Sequence, residues 1–419
     1  MTKKVCVLGL GYVGLPTACM FAVQGYHVVG VDVKREVVET ISKGSIHIEE
    51  AGLKTMLQAA INSRNLVARN EVEPADVFII AVPTPLAPDK RADVSFVESA
   101  ARSIVPVLAR GNLVVLESTV PPGTTNGLLC RILSETGLNP GVDFHVAHSP
   151  ERVLPGNVFS ELVSNDRVIG GITPESAQLA RDLYMSFVEG EILLTDSTTA
   201  EMVKLTENTF RDVNIALANE LALIAAEYGV DIFSVVALAN RHSRVNVHQP
   251  GPGVGGHCIP VDPWFIVENS NEAGKLIRRA RELNDSMPER IVQLVEHVVG
   301  PAQDAKISVW GVAYKGNVDD TRETPAAPIV HLLRKRNYKI SIFDFHVRNF
   351  ECEIDSLESA VNASDAILLL ADHKEFKYLD PHVIGQKMRR RIVIDTRNCL
   401  DPAKWKGAGF DFHLLWKKL

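Results

Sequence analysis

The run Gly9-Leu10-Gly11-Tyr12-Val13-Gly14, directly after the apolar stretch Val5 to Leu8, constrains this chain more than any other feature in it. A buried strand that ends in glycines at this spacing and passes into a helix has few folds open to it. Gly9 permits the tight turn, Gly11 lets a pyrophosphate approach the backbone, and Gly14 lets helix and strand pack closely. Tyr12 and Val13 lie inside the same turn, and the helix N-terminus favours phosphate charge. Glycine turns are common, so the context carries the weight. Here the turn follows one strand-like run, and Asp32 closes the next, Val28 to Val31. A carboxylate there accepts hydrogen bonds from the adenosine ribose and repels a 2′-phosphate, which favours NAD over NADP.

The rest of the first half keeps this texture. Val77 to Val82, Leu113 to Leu116 and Phe144 to Ala147 are further short apolar runs, with helical stretches between most of them. Continuous apolar runs fit strands buried on both faces of a parallel sheet, and the alternation predicts a doubly wound α/β domain. Around Thr198 the pattern changes. Thr199 to Tyr228 reads as one long helix, followed by helical stretches over Asp231 to Ala239 and Glu272 to Val299. From Ile307 the α/β texture returns, with strands expected at Ile307 to Val312, Lys339 to Phe343, Ala366 to Leu370 and Arg391 to Ile394. The expected organisation is a dinucleotide-binding domain over 1–197, a helical central domain over 198–300 and a second Rossmann-like domain over 301–419. The second sheet has no glycine fingerprint after its first strand, which ends at Tyr314 and Lys315. It therefore lacks the backbone for another dinucleotide. Lys315 and Arg322 are equally well read as phosphate contacts or as parts of a solvated loop.

A net charge of −7 gives no footprint of a nucleic-acid binder. No apolar run reaches the ~18 residues of a membrane span. No leader pattern precedes the first strand, so a soluble, cytosolic protein is expected. The six cysteines show no CxxC spacing, which argues against a structural metal site and a disulfide framework. Cys6, Cys19 and Cys130 fall in or near predicted core elements and read as small hydrophobes. Cys258 differs. It lies in Gly255-Gly256-His257-Cys258-Ile259-Pro260-Val261-Asp262, where glycine backbone can come close to a ligand and a carboxylate is near. A dinucleotide fold with a nucleophilic cysteine points to an oxidation that passes through a covalent sulfur intermediate. Pro83-Thr84 and Glu117-Ser118-Thr119 end parallel strands, where ligands bind in such folds, although ordinary turns have the same composition.

Read together and in order, the GLGYVG start, Ser149-Pro150-Glu151, Lys204-Leu205-x-x-Asn208, the GGHC loop and Asp320-Thr321-Arg322-Glu323 resemble the UDP-glucose/GDP-mannose dehydrogenases over nearly the whole chain. The resemblance implies two Rossmann-like domains joined by a helical dimerisation domain. It also implies oxidation of a sugar C6 hydroxyl to a carboxylate with two NAD per sugar. By it Cys258 is the nucleophile, Lys204 and Asn208 handle the C6 oxygen and its proton, and Asp262 supports base and water. Glu151 and Thr119 serve thioester hydrolysis, and Arg322 joins Pro83, Thr84 and Thr119 at the cofactor. On the residues alone, Lys204 is a helix-surface lysine and Asn208 a polar-face residue. The departures from the family pattern are GGHC in place of GGSC, and Val261-Asp262-Pro263 in place of Lys-Asp. With Glu151-Arg152-Val153-Leu154-Pro155-Gly156 and the 240–246 run, they resemble the branch acting on UDP-N-acetylated hexosamines, the manno epimer before the gluco epimer. That branch places Arg152, Val153, Arg211, His242, Gly255, Tyr314, Lys315 and Arg397 at the UDP-sugar, with Arg244 reaching in from the partner of a homodimer or a higher homo-oligomer. A UDP-glucose enzyme and a nucleotide-sugar sensor without catalysis are the alternatives. Intact Cys258, Lys204 and Asp262 count against the sensor.

Overall fold

The structure, a computed structural model, describes residues 3–48, 50–153, 156–270 and 272–415. The chain divides into two compact units, Met1–Glu207 with Trp264–Ser270, and Asn208–Pro263 with Asn271–Leu419.

The first unit is built on a sheet of eight strands: β1 (Lys4–Leu8), β2 (His27–Val31), β3 (Leu66–Arg69), β4 (Val77–Ile80), β5 (Leu113–Leu116), β6 (His145–His148), β7 (Arg167–Gly171) and β8 (Ile192–Asp196), in the order β3-β2-β1-β4-β5-β6-β7-β8. All neighbours are parallel except β6 and β7, which pair antiparallel with Ala147 opposite Gly171 and His148 opposite Gly170. Side chains leave alternate faces of each strand. Val5, Val7, Val77 and Ile79 enter one core, and Cys6, Leu8, Phe78 and Ile80 enter another. Both faces are covered by helices, which is why these strands read as unbroken apolar runs. The five strands expected from the sequence are present. β3, β7 and β8 were not expected: β3 is short with alternating exposure, β7 carries two glycines, and β8 is a half-exposed edge.

Four helices follow in chain order. Ser197–Glu227 is the long one, then Ile232–Ala239, Asp262–Val267 and Lys275–Val299. The Asp231 carboxylate caps the second by accepting from the backbone N–H of Phe233 and Ser234, satisfying donors that a helix start leaves open. The short Asp262–Val267 helix begins where Asp262 N–H donates to the Cys258 carbonyl.

The second unit contains a five-stranded, fully parallel sheet of β9 (Lys306–Trp310), β10 (Lys339–Phe343), β11 (Ala366–Leu369), β12 (Ile392–Asp395) and β13 (Asp411–Leu414), in the order β10-β9-β11-β12-β13. Its two faces bury Val309, Leu368 and Ile394 on one side and Trp310, Leu369 and Val393 on the other. No helix among the described residues is long and apolar enough to cross a membrane.

Candidate active site

The glycine turn of the first unit tests directly whether a dinucleotide fits. Gly9 has φ +90, and a Cβ on it would sit 2.6 Å from the Ala81 carbonyl oxygen. A Cβ on Gly14 would collide with the Gly9 carbonyl, so turn and helix approach as closely as backbone allows. Gly11 faces open space, with nothing within 4 Å of a built Cβ. Two glycines are there for packing, and the middle one leaves room for a ligand. Asp32 follows β2. Its Oδ2 accepts from Leu10 N–H at 3.1 Å and its Oδ1 from Lys34 N–H at 2.9 Å, which leaves acceptor capacity on both oxygens for ribose hydroxyls. The chain therefore has the cradle that NAD requires.

The loops after β4 and β5 are tied together beside it. Thr84 Oγ1 donates to the Thr119 carbonyl at 2.7 Å, and Ser118 Oγ donates to the Val82 carbonyl at 2.7 Å. Glu201, buried on the long helix, accepts from Thr125 N–H at 2.7 Å and from its hydroxyl at 2.6 Å, clamping the end of that loop one turn before Lys204. Lys204 is only 9 % exposed, so it is not the surface lysine that helix position alone suggests.

After β6 the chain reaches Ser149, Glu151 and Arg152. Glu151 Oε1 accepts from Arg152 N–H at 2.6 Å, and Oε2 accepts from the Arg167 guanidinium at 3.0 Å. The Arg152 side chain binds Glu207 at 2.9 Å and the Asp166 carbonyl at 2.9 Å. Val153 is half-buried beside it, while Leu154 and Pro155 lie outside the described residues. Sequence reasoning missed Arg167, because the strand that carries it was not recognised.

In the second unit the Cys258 loop is seated on the segment that follows β9. Gly255 is pressed against the Glu323 carbonyl and the Tyr314 side chain, so that a Cβ would come within 2.9 Å of Tyr314 Cβ. Gly256, with φ +92, donates its N–H to the Arg322 carbonyl at 3.0 Å. These contacts hold Cys258 half-exposed, with its Sγ 3.8 Å from His257 Nδ1. Asp262 is buried and accepts from Asn208 Nδ2 at 2.5 Å, while Asn208 Oδ1 accepts from Arg211. Asn208 itself is only 1 % exposed, and its amide has a second N–H to offer a ligand. Tyr314, Lys315 and Arg322 share the segment under the loop, with Arg322 forked onto Asp320 at 2.6 and 3.0 Å. Arg397, after β12, leans on Asp372 at 3.3 Å and fills the space beside Gly251. His242 and Arg244 are exposed.

The end of β10 shows why this second sheet is not another dinucleotide site. Asp344 stands where Asp32 stands in the first sheet. Its carboxylate accepts from the N–H groups of Val312, His346 and Val347 at 2.7, 2.8 and 2.9 Å, and from His373 at 3.0 Å. His373 Nδ1 takes the Asn317 N–H at 2.8 Å, so its proton is on Nε2, facing Asp344. Although burial pushes Asp344 up, the His373 hydrogen bond and the backbone donors hold it down to about 2. Its lone pairs are committed to the fold, leaving none for a ribose.

One unit has a cradle for NAD, and the other has a half-exposed thiol in a loop seated on the segment after β9, features of an NAD-dependent dehydrogenase. The chain belongs to the UDP-glucose/GDP-mannose dehydrogenase family: it matches the NAD binding domain over residues 3–188, the central domain over 198–286 and the UDP binding domain over 308–402. It is 49% identical over 422 residues to the UDP-N-acetyl-D-mannosamine dehydrogenase of Methanococcus vannielii, covering 99% of this chain and 97% of that one. It is 45% identical to the NDP-N-acetyl-D-galactosaminuronic acid dehydrogenase of Ralstonia solanacearum, over 94% of this chain and 96% of that one. The solved UDP-D-ManNAc dehydrogenase of Pyrococcus horikoshii superposes with a TM-score of 0.92 at 46% identity, covering 99% of each chain.

Proposed function

We propose that this enzyme oxidises the C6 hydroxyl of UDP-N-acetyl-D-mannosamine to the carboxylate of UDP-N-acetyl-D-mannosaminuronate, a four-electron oxidation. The observation that carries the reading is the half-exposed Cys258 in a glycine loop seated on the Tyr314–Arg322 segment, in a chain this similar to mannosamine enzymes over its full length. NAD, when bound, accepts the hydride in each of the two oxidations, and Gly9, Gly11, Gly14, Asp32, Thr84 and Thr119 hold it, with Arg322 at a phosphate. Lys204 takes the proton of the C6 hydroxyl, and Asn208 donates to the same oxygen. Cys258 Sγ adds to the C6 aldehyde to give a thiohemiacetal, whose oxidation leaves a thioester. Glu151 takes a proton from the water that hydrolyses it, Thr119 orients that water, and Asp262 holds Asn208 in place. Arg152, Val153, Arg211, His242, Arg244, Gly255, Tyr314, Lys315 and Arg397 contact the UDP-sugar.

The same reading divides the chain at 1–197, 198–300 and 301–419 and makes it a cytosolic homodimer. Supporting the dimer, Phe210, Leu217 and Ile224 recur every seventh residue on the long helix and are 62%, 46% and 45% exposed, an apolar stripe suited to a second copy of the chain. The likeness to the Ralstonia enzyme favours a galacto-configured sugar as the second reading.

NADH formation with UDP-linked N-acetylmannosamine, N-acetylglucosamine, N-acetylgalactosamine and glucose tests the proposal. The expected result is two NADH per sugar, highest kcat/KM for the manno epimer and no free aldehyde. One NADH with aldehyde released would overturn the cysteine route, and preference for another epimer would overturn the sugar.

A further inference from the structure

Glu151 belongs to a buried ionic cluster in which one arginine faces two carboxylates. Arg167 begins β7, and β7 is the strand that runs antiparallel to β6. Continuing that register past His148 sets Arg167 opposite Glu151, at the end of the sheet where β5 and β6 finish. Glu117 follows β5 and lies on the other side of the same guanidinium, 3.7 Å from it. The side chains of Arg167, Glu117 and Glu151 are 6%, 0% and 9% exposed. Arg167 donates to Glu151 at 3.0 Å and to Ser149 Oγ at 3.0 Å, and its Cζ lies 4.5 Å over the Tyr184 ring. Glu117 accepts from Tyr184 Oη at 2.6 Å and Thr17 Oγ1 at 3.3 Å.

We propose that Arg167 and Glu117 are positioning residues for thioester hydrolysis, one guanidinium shared by two carboxylates fixing the orientation of Glu151. This rests on the role given to Glu151 above. Two carboxylates share one cation, and the Glu151 charge raises the proton affinity of Glu117. Burial pushes Glu117 up to about 7, with Arg167 pulling it down and Glu151 adding to the rise. The groups facing Glu117 are Arg167 from β7, Glu151 from the loop after β6, Tyr184 from the helix Pro174–Tyr184 and the Thr17 hydroxyl from the helix Gly14–Val23. In the step itself, a water oxygen bonds to the thioester carbon and the carbon–sulfur bond breaks. One water proton passes to Glu151, and the other ends on the departing Cys258 sulfur. Arg167 fixes the base through Oε2 and Ser149 fixes Arg167. Glu117, itself anchored by Tyr184 and Thr17, holds the same guanidinium at its other terminal nitrogen.

The experiment follows the enzyme with NAD and the UDP-sugar through its first turnover, by NADH absorbance and by intact mass of the Cys258 adduct. Glu151→Gln is the reference and should accumulate the thioester after both NADH have formed. Glu117→Gln keeps the shape and the Tyr184 and Thr17 contacts but removes the charge. It should leave NADH formation unchanged and slow hydrolysis several-fold, so that the adduct accumulates. A merely structural role would slow both NADH-forming steps along with hydrolysis. Arg167→Lys, checked for an unchanged melting temperature, should accumulate adduct, because an ammonium lacks the rigid fork that meets Glu151 and Ser149 from separate nitrogens; if it does not fold, Glu117→Gln decides alone. Failure of Glu151→Gln to accumulate adduct would remove the role of Glu151. Accumulation there, with a wild-type rate of hydrolysis in Glu117→Gln, would overturn the positioning role while leaving that of Glu151 intact.

Discussion

Burial alone silences four of the six thiols. It pushes Cys6, Cys19, Cys130 and Cys399 up to about 12, so they carry almost no thiolate at neutral pH. Cys258 and Cys352 are partly exposed, and of these Cys258 has the glycine loop. Cys258→Ser should therefore bind UDP-sugar and NAD but lose turnover, since a hydroxyl is a far weaker nucleophile than a thiolate. Binding measured by calorimetry beside NADH assays decides it, and near-normal turnover would return Cys258 to the packing role. Asp32 carries the second residue-scale prediction. Asp32→Ala should weaken NAD binding and narrow the preference over NADP, read as the ratio of the two kcat/KM values. An unchanged ratio would contradict its place at the ribose. The glycines, Asp32 and Cys258 were legible because their surroundings in sequence are local. Glu117, Arg167, Asp344 and His373 were not, because each acquires its meaning from a residue on another strand.

At the scale of elements, apolar runs revealed most strands and missed β7, which is buried throughout but carries an arginine and two glycines. β7 and the edge strands β3, β8 and β13 lack such runs, and the loss of β7 hid the antiparallel step that brings Arg167 to Glu151. The helices were legible from their periodicity, but the polar chain joining them was not. Arg281, on the Lys275–Val299 helix and 1 % exposed, pairs with Asp212 on the long helix. Asn284 donates to Asp212 at 2.9 Å, Asn219 donates to Asn284 at 3.0 Å, and Gly251 N–H donates to Asn219 at 2.9 Å. This chain of bonds ends in the loop that carries Cys258. Arg281→Met should destabilise the second unit by about 3–5 kcal/mol, because it leaves the Asp212 carboxylate buried without its cation. Pairing it with Asp212→Asn should restore part of the loss. Urea unfolding of both variants measures this, and a loss under about 1 kcal/mol in the single variant would show that the ion pair is dispensable.

The whole molecule has to solve a problem of charge: an enzyme of net charge −7 must hold a UDP-sugar with two phosphates. Binding must come from a local set of cations rather than from the overall field. Arg397 and Arg322 are already engaged by Asp372 and Asp320, and Arg152 by Glu207, so their charge is partly spent within one chain. Arg244 is exposed on the segment after the Ile232–Ala239 helix, in the unit that carries the apolar stripe Phe210, Leu217 and Ile224. A residue so placed suits delivery to a neighbouring copy, and an arginine fork suits phosphate or sugar oxygens. Arg244→Ala should raise the KM for UDP-sugar roughly tenfold, the loss expected for one charged hydrogen bond, and change the KM for NAD much less. Mixed with Cys258→Ser under subunit exchange, it should regain activity, because in a mixed dimer one site combines the intact cysteine of one chain with the intact arginine of the other. An unchanged KM would refute the contact. Absence of regained activity, with exchange proven by mass-tagged subunits, would refute delivery from the partner.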